Sequence, residues 1–207
     1  MSSVTLAGWP HIFTRNSGAG PVLLMLHGTG SSEREIVGLA PLLDARADIL
    51  APRGRLSEGG MTRWFRRFAE GVFDTDSVIS EAAALAEFIG LARDPYDLAD
   101  REIVAVGVSN GANIALATAM LHPEALSAVV AFSGMHPLAG METGTDLSST
   151  RVLLLNGTHD PMAPSASVDA VEATLREAGA EVTRVTRPGG HGIDARDVEA
   201  ARGWLVS

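Results

Sequence analysis

Ser109 stands in Gly107-Val108-Ser109-Asn110-Gly111, between a β-branched apolar run, Ile103-Val104-Ala105-Val106, and an alanine-rich stretch from Ala112 to Leu121. A G-x-S-x-G between strand and helix turns the chain so sharply that the serine side chain projects above the sheet, while the next N–H opens the helix facing the same spot. That placement suits a nucleophile. An ordinary serine in a glycine-rich turn has the same five residues, so the partners decide between the two readings. A serine alcohol is a poor nucleophile at neutral pH; it needs a base to accept its proton and a third group to orient that base. In the chain order serine, acid, histidine, the partners are Asp160, just after Val152-Leu153-Leu154-Leu155-Asn156, and His191, in Pro188-Gly189-Gly190-His191-Gly192. Both fall at the carboxyl end of an expected strand, as Ser109 does.

The competing reading of Asp160 is a turn residue before Pro161. A rival acid in the loop after Ala128 to Ser133 would have to be Glu142, the first carboxylate there. Among the other histidines, His27 belongs to a loop of its own and His159 precedes Asp160, against the required order. His11 and His136 have no assigned role from order, although His136 lies close enough to the serine in layer to line a pocket. Acyl transfer also needs donors for the oxygen that becomes negative, each worth roughly 2.7–4 kcal/mol. Leu26-His27-Gly28-Thr29-Gly30 follows a buried apolar run and is an H-G-x-G loop of the kind that supplies one, which makes the Thr29 and Asn110 N–H groups the candidate pair. Gly28-Thr29-Gly30 also begins like a dinucleotide loop, but the sixth position is Glu33, which would repel a pyrophosphate.

These residues need a scaffold that brings loop ends together. Short apolar runs alternate with amphipathic ones, the pattern of a mostly parallel sheet with helices on both faces. Expected strands are Ile12 to Arg15, Val22 to Leu26, Asp48 to Ala51, Ile103 to Val108, Ala128 to Ser133, Val152 to Asn156 and Glu181 to Thr186. Ser32-Glu33-Arg34-Glu35 reads as a capping box, Val78 to Leu91 as a long helix, Val168 to Ala178 as a helix stopped by Gly179, and Asp194 to Leu205 as the last helix. Arg53 to Asp74 and Gly134 to Thr150 have no regular pattern; both follow carboxyl ends of strands, where open α/β sheets bind ligands, and are the candidate pocket walls.

Composition narrows the chemistry. The chain has 207 residues, enough for one domain spanning 1–207, and no cysteine, which excludes disulfides, zinc-thiolate sites and cysteine nucleophiles. All 16 basic residues are arginine, so P-loop phosphate binding, pyridoxal Schiff bases and Ser-Lys pairs are excluded too. A net charge of -9 disfavours nucleic acid. Met1 to Gly8 lacks the charged start and apolar core of a signal peptide, and no run of about 18 apolar residues spans a bilayer, so a cytoplasmic protein is expected.

With these motifs in place, the chain resembles the α/β-hydrolase superfamily, specifically the phospholipase/carboxylesterase family and its small bacterial carboxylesterase branch. The resemblance rests on L-H-G-T-G at Leu26 to Gly30, P-R-G at Pro52 to Gly54, R-W-F-R-R at Arg63 to Arg67, G-V-S-N-G-A-N-I-A at Gly107 to Ala115, H-D-P-M-A-P at His159 to Pro164 and G-G-H at Gly189 to His191. It implies Ser109 as nucleophile, Asp160 as orienting acid, His191 as base, Thr29 and Asn110 as oxyanion donors, and no cofactor or metal. Thr62 departs from the branch, which more often has proline there.

The expected architecture is therefore an α/β-hydrolase fold without a cap domain, since only Gly134 to Arg151 separates Ser133 from Val152. The expected substrate is a small-molecule carboxylic ester with a short to medium acyl chain. Met61, Trp64, Phe65, His136 and Met162 are candidate pocket residues, with Phe68 and Phe73 beside them; core packing is the competing reading for Trp64 and Phe68, which would share a helical face at i, i+4. Arg63, Arg66 and Arg67 read as a solvated or salt-bridged face, with Arg66 spaced to pair with Glu70. Alternatives left open are an acyl thioesterase or lysophospholipase-like hydrolase, a transacylase and a non-catalytic binding protein on the same fold. A homodimer also stays open.

Overall fold

A computed structural model describes residues 4–6, 8–16, 20–141 and 143–206. Glu142, the rival acid, lies outside them, as do Met1 to Ser3 and Ala7 of the N-terminal stretch. In chain order the first elements are β1 (Val4–Leu6), β2 (Trp9–Thr14), β3 (Val22–Leu26), α1 (Glu33–Ile36), α2 (Ala40–Leu43) and β4 (Asp48–Pro52). Two small hairpins follow, β5 (Leu56–Glu58) with β6 (Met61–Arg63) and β7 (Arg67–Ala69) with β8 (Val72–Phe73). The remainder alternates: α3 (Thr75–Arg93), β9 (Ile103–Val108), α4 (Asn110–Leu121), β10 (Ala128–Phe132), β11 (Arg151–Gly157), α5 (Ser165–Glu177), β12 (Glu181–Arg187) and α6 (Ala195–Leu205).

Among the described residues, eight strands make one sheet in the order β1-β2-β4-β3-β9-β10-β11-β12. β1 and β2 run antiparallel at one edge, and β4 onward is parallel. The period-2 geometry of a strand divides each apolar run between two cores. Val22, Leu24 and Leu26 of β3 face the core closed by α3, α4 and α5, whereas Leu23 and Met25 face the one closed by α1, α2 and α6. β9 and β11 divide likewise, Ala105 and Leu154 to the first core, Val106 and Leu155 to the second. Each such Val, Leu or Met side chain, fully buried, is worth roughly 1.5–3 kcal/mol, so register is strongly fixed where the strands carry functional loops.

Helix ends follow their caps. Asp74 accepts the Ser77 N–H to start α3, and Asp194 with Asp197 forms a capping box at α6. The expected box at Ser32 does not form: the Ser31 and Ser32 hydroxyls both turn to the Glu35 carboxylate, and α1 gives way to a 3-10 turn, Val37–Leu39. The segment 134–150 has neither helix nor strand among its described residues, so these add no helical cap between β10 and β11. No helix among the described residues is long and apolar enough to cross a membrane.

The stretch Arg53 to Asp74 is more regular than its sequence suggested. Gly59 and Gly60 both adopt positive φ, 58° and 82°, the conformation that a two-residue hairpin turn requires. Trp64 lies in the bend between the two hairpins and Phe68 in β7, so the helical spacing on which their pairing depended is absent: Trp64 is fully buried and Phe68 is 77% exposed.

Candidate active site

At the end of β9 the backbone of Ser109 takes φ 53° and ψ -113°, a region a side chain rarely tolerates. Neighbours hold it there. Ser109 N–H donates to Phe132 O (2.8 Å) at the end of β10, and Asn113 N–H donates to Ser109 O (3.0 Å) in the first turn of α4. The flanking glycines are required by contact: a methyl on Gly107 would meet Ala112 N at 2.5 Å, and one on Gly111 would overlap the Leu26 and His27 carbonyls. Residue strain of about 1–3 kcal/mol is thus maintained by β3, β10 and α4 together.

Asp160 and His191 form a pair. Asp160, with its carboxylate fully buried, accepts from Met162 N–H (2.8 Å) and Ala163 N–H (3.2 Å) through Oδ1, while Oδ2 lies 2.7 Å from His191 Nδ1. A carboxylate acceptor assigns the proton to Nδ1 and leaves Nε2 as the free acceptor. The histidine loop is clamped from two sides. Arg187 donates to Gly190 O (3.2 Å) and Gly192 O (2.7 Å) while paired with buried Asp197 at 2.5 Å. Ser133 Oγ donates to Gly192 O (2.9 Å) and accepts from Gly192 N–H (3.1 Å).

A cavity of about 270 Å³ is bordered by Thr29, Ser109 and Asn110, together with Met61 and Met162. Phe73 borders it as well, so six of the residues singled out as nucleophile, oxyanion or pocket candidates share one space, which Asp160 and His191 do not border. The Thr29 loop is tied down by residues far away in the chain. Gly30 N–H donates to Thr62 O (2.9 Å), so the departure at Thr62 involves only its carbonyl in this contact. His27 Nδ1 lies 2.8 Å from Gly28 O and His27 Nε2 accepts from Gly54 N–H at 3.0 Å, which fixes the neutral tautomer with the proton on Nδ1. Burial pushes the His27 pKa down, in keeping with that neutral form. Glu33, fully buried, takes a bidentate grip from Arg53, 2.6 Å at each oxygen; burial acts to raise its pKa, but the Arg53 hydrogen bonds and charge bring it below the usual carboxylate value.

Three pocket expectations are corrected. Trp64 is fully buried against Trp9 and His27, its Nε1–H donating to His27 O (2.8 Å) and its backbone N–H to Asn110 Oδ1 (2.9 Å). Phe65 is fully buried and packs edge-on against Phe73, which itself borders the cavity. His136 is buried and does not border the cavity, and both its ring nitrogens are engaged: Nδ1 accepts Leu138 N–H at 3.1 Å and Nε2 lies 3.2 Å from Thr174 Oγ1. Burial lowers its pKa also. The expected Arg66–Glu70 pair is replaced by Arg66–Asp74 (2.9 Å) and Arg67–Glu70.

Sequence reasoning missed Asn113, Ser133 and Met135 as cavity residues and read Arg63 as part of a solvated or salt-bridged face; all four border the cavity. Arg63 is only 3% exposed, paired with Glu58 at 3.3 Å and donating to Thr29 Oγ1 at 3.2 Å. Burial pulls its pKa down, and neighbouring Arg67 adds to that. The Gly59-Gly60 turn was the available signal: a hairpin there puts Met61 and Arg63 on one face, at i and i+2.

A mostly parallel sheet with a strained serine elbow and an acid–histidine pair at its carboxyl edge defines an α/β hydrolase. The chain belongs to the phospholipase/carboxylesterase family, whose profile matches residues 8–206. It is 38% identical to a Bacillus cereus carboxylesterase of known crystal structure, with a TM-score of 0.91 over 97% of this chain and 94% of that one. A Mesorhizobium loti carboxylesterase is 30% identical, also with a TM-score of 0.91, covering 99% of this chain and 98% of the other. MhqD of Bacillus subtilis (strain 168), which bears the provisional name of a hydrolase, is 32% identical over 194 residues, 94% of this chain and 96% of its own length.

Proposed function

We propose that this chain, as one domain, is a serine carboxylesterase that cleaves small-molecule carboxylic esters through an acyl-enzyme. The observation that carries the reading is the 2.7 Å contact between His191 Nδ1 and Asp160 Oδ2, in the chain order and at the strand ends that a serine elbow requires. His191 Nε2 takes the Ser109 proton as Oγ bonds to the ester carbon. The carbonyl oxygen becomes negative between the Thr29 and Asn110 N–H groups. Collapse breaks the carbon–alkoxy bond, and His191 returns the proton to the departing alcohol. Water, deprotonated by the same nitrogen, then attacks the acyl carbon, and Ser109 leaves with the proton.

The described residues of 134–150 form no helix over the site, which supports access of monomeric esters from water. Turnover of p-nitrophenyl acetate and butyrate by the wild type and by Ser109→Ala tests the reading. Loss of turnover in the variant, down to the residual of about 10³–10⁴ over water that binding and oxyanion donors give alone, is expected; wild-type rates from Ser109→Ala would refute it.

A further inference from the structure

A second cavity, of about 680 Å³, lies where the ends of β3 and β9 meet the face closed by α1, α2 and α6. Its walls are chiefly apolar, with Ile36, Leu39 and Leu42 on one side and Val198 on the other. Its lining also includes Gly28, Val108 and Ile193, which are chain neighbours of Thr29, Ser109 and the His191 loop, and the polar Ser31, Glu35 and Asp194. Gly28, which lines the groove, adjoins the elbow: a methyl placed on it would stand 3.8 Å from Ser109 Cβ. Leu42, 57% exposed, is an apolar side chain on this wall that the sheet core does not explain.

We infer that this groove receives the alcohol portion of the ester, and that the 270 Å³ cavity receives the acyl portion, so that the protein is selective for esters of small acids with extended apolar alcohols. The assignment rests on the serine-esterase reading. It follows from where the proton must go. The departing oxygen accepts a proton from His191, so the alcohol has to lie beside the loop after β12. The groove touches that loop through Ile193 and Asp194; the smaller cavity is bordered by Ser109 and by Thr29 and Asn110, the residues that face the acyl carbonyl. The two spaces also differ in kind. The acyl side has the Arg63 and Arg67 guanidinium groups and Glu70 among its walls, while the groove offers a larger apolar surface.

Two isomeric esters test this directly, since hexyl acetate and ethyl hexanoate carry the same atoms with the long chain on opposite sides of the carboxyl group. With hydrolysis followed by pH-stat titration, hexyl acetate should exceed ethyl hexanoate in kcat/KM by at least about tenfold, as partial burial of four methylenes allows. Leu42→Gln, at an exposed position, and Ile193→Gln should each reduce the hexyl-to-ethyl acetate ratio severalfold. Equal or reversed preference between the isomers, or a ratio that neither variant moves, would overturn the assignment. If the groove is instead covered by a second copy of the chain, sedimentation would show a dimer that Leu42→Gln dissociates with the ester ratio unmoved, and the assignment would fall. Labelling of Ser109 by a fluorophosphonate separates the two levels: a labelled enzyme with the wrong isomer preference contradicts only the groove, whereas an enzyme that is not labelled there contradicts the serine mechanism as well.

Discussion

The Ser133 hydroxyl is bonded to both backbone groups of Gly192, the residue that follows His191: it donates to the carbonyl at 2.9 Å and accepts from the N–H at 3.1 Å. Ser133 is itself held at a positive φ of 51°, with its N–H on Leu155 O at 2.8 Å, so β10 and β11 jointly set the histidine loop. Ser133→Ala should leave the fold intact and lower kcat by about tenfold to a hundredfold with little change in KM, because a small displacement of the base is costly in the transition state. Steady-state kinetics checks it; an effect on KM alone would make Ser133 a pocket wall and nothing more.

Asp160→Asn should lower kcat by about 10⁴, the scale expected when the orienting acid favours the wrong histidine tautomer. The asparagine can still accept the Met162 and Ala163 N–H groups, so thermal unfolding should change little. A variant that unfolds early yet keeps its kcat would reduce Asp160 to a turn residue.

Arg63→Met removes the donor that grips Thr29 and leaves Glu58 with Arg67 as its remaining partner. If Arg63 holds the oxyanion loop, kcat should fall by at least about tenfold while Arg63→Lys recovers only part of it, since lysine lacks the planar fork. Measuring both variants on the same ester decides it; equal, unimpaired rates would exclude the role.

Stability should decline on the acidic side. His27 and His136 have pKa values lowered by burial, so around and below the ordinary histidine value the unfolded chain binds protons that the folded chain does not. Their contribution is present above about pH 6.5 and is lost as pH falls toward the folded values. The melting temperature should therefore drop between pH 7.5 and 5.5, and His136→Gln, which keeps polar atoms for Leu138 and Thr174, should flatten that slope. An unchanged slope would show that His136 is not titrating against folding.

Strain at the elbow gives a separate expectation. Ser109 sits at φ 53°, so Ser109→Gly should be more stable than Ser109→Ala by about 1 kcal/mol, even though glycine loses more entropy on folding. Denaturant midpoints of the two variants compare them; a less stable glycine variant would argue that the conformation is not strained.

Much of the scaffold was legible because the informative signals were local. β3 and β9 run over the expected residues, Val22–Leu26 and Ile103–Val108, since unbroken apolar runs admit little else. The sharp turn at Ser109 and the pairing of Asp160 with His191 follow from motif and order. What escaped depends on partners distant in the chain. Nothing near Arg63 announces Thr29, and nothing near Ser133 announces Gly192, because those contacts exist only after the sheet has brought separate loops together. Trp64, Phe65 and His136 misled for a related reason: an aromatic residue near a site suits a pocket and a core equally, and packing against Trp9, Phe73 and α5 decided it.

The most direct test of the serine mechanism is covalent. After incubation with a fluorophosphonate, intact-mass analysis and peptide mapping should find a single adduct, on Ser109, formed rapidly by the wild type and slowed strongly in His191→Ala. An adduct on another residue, or none on a folded wild-type protein, would contradict Ser109 as the nucleophile and His191 as its base.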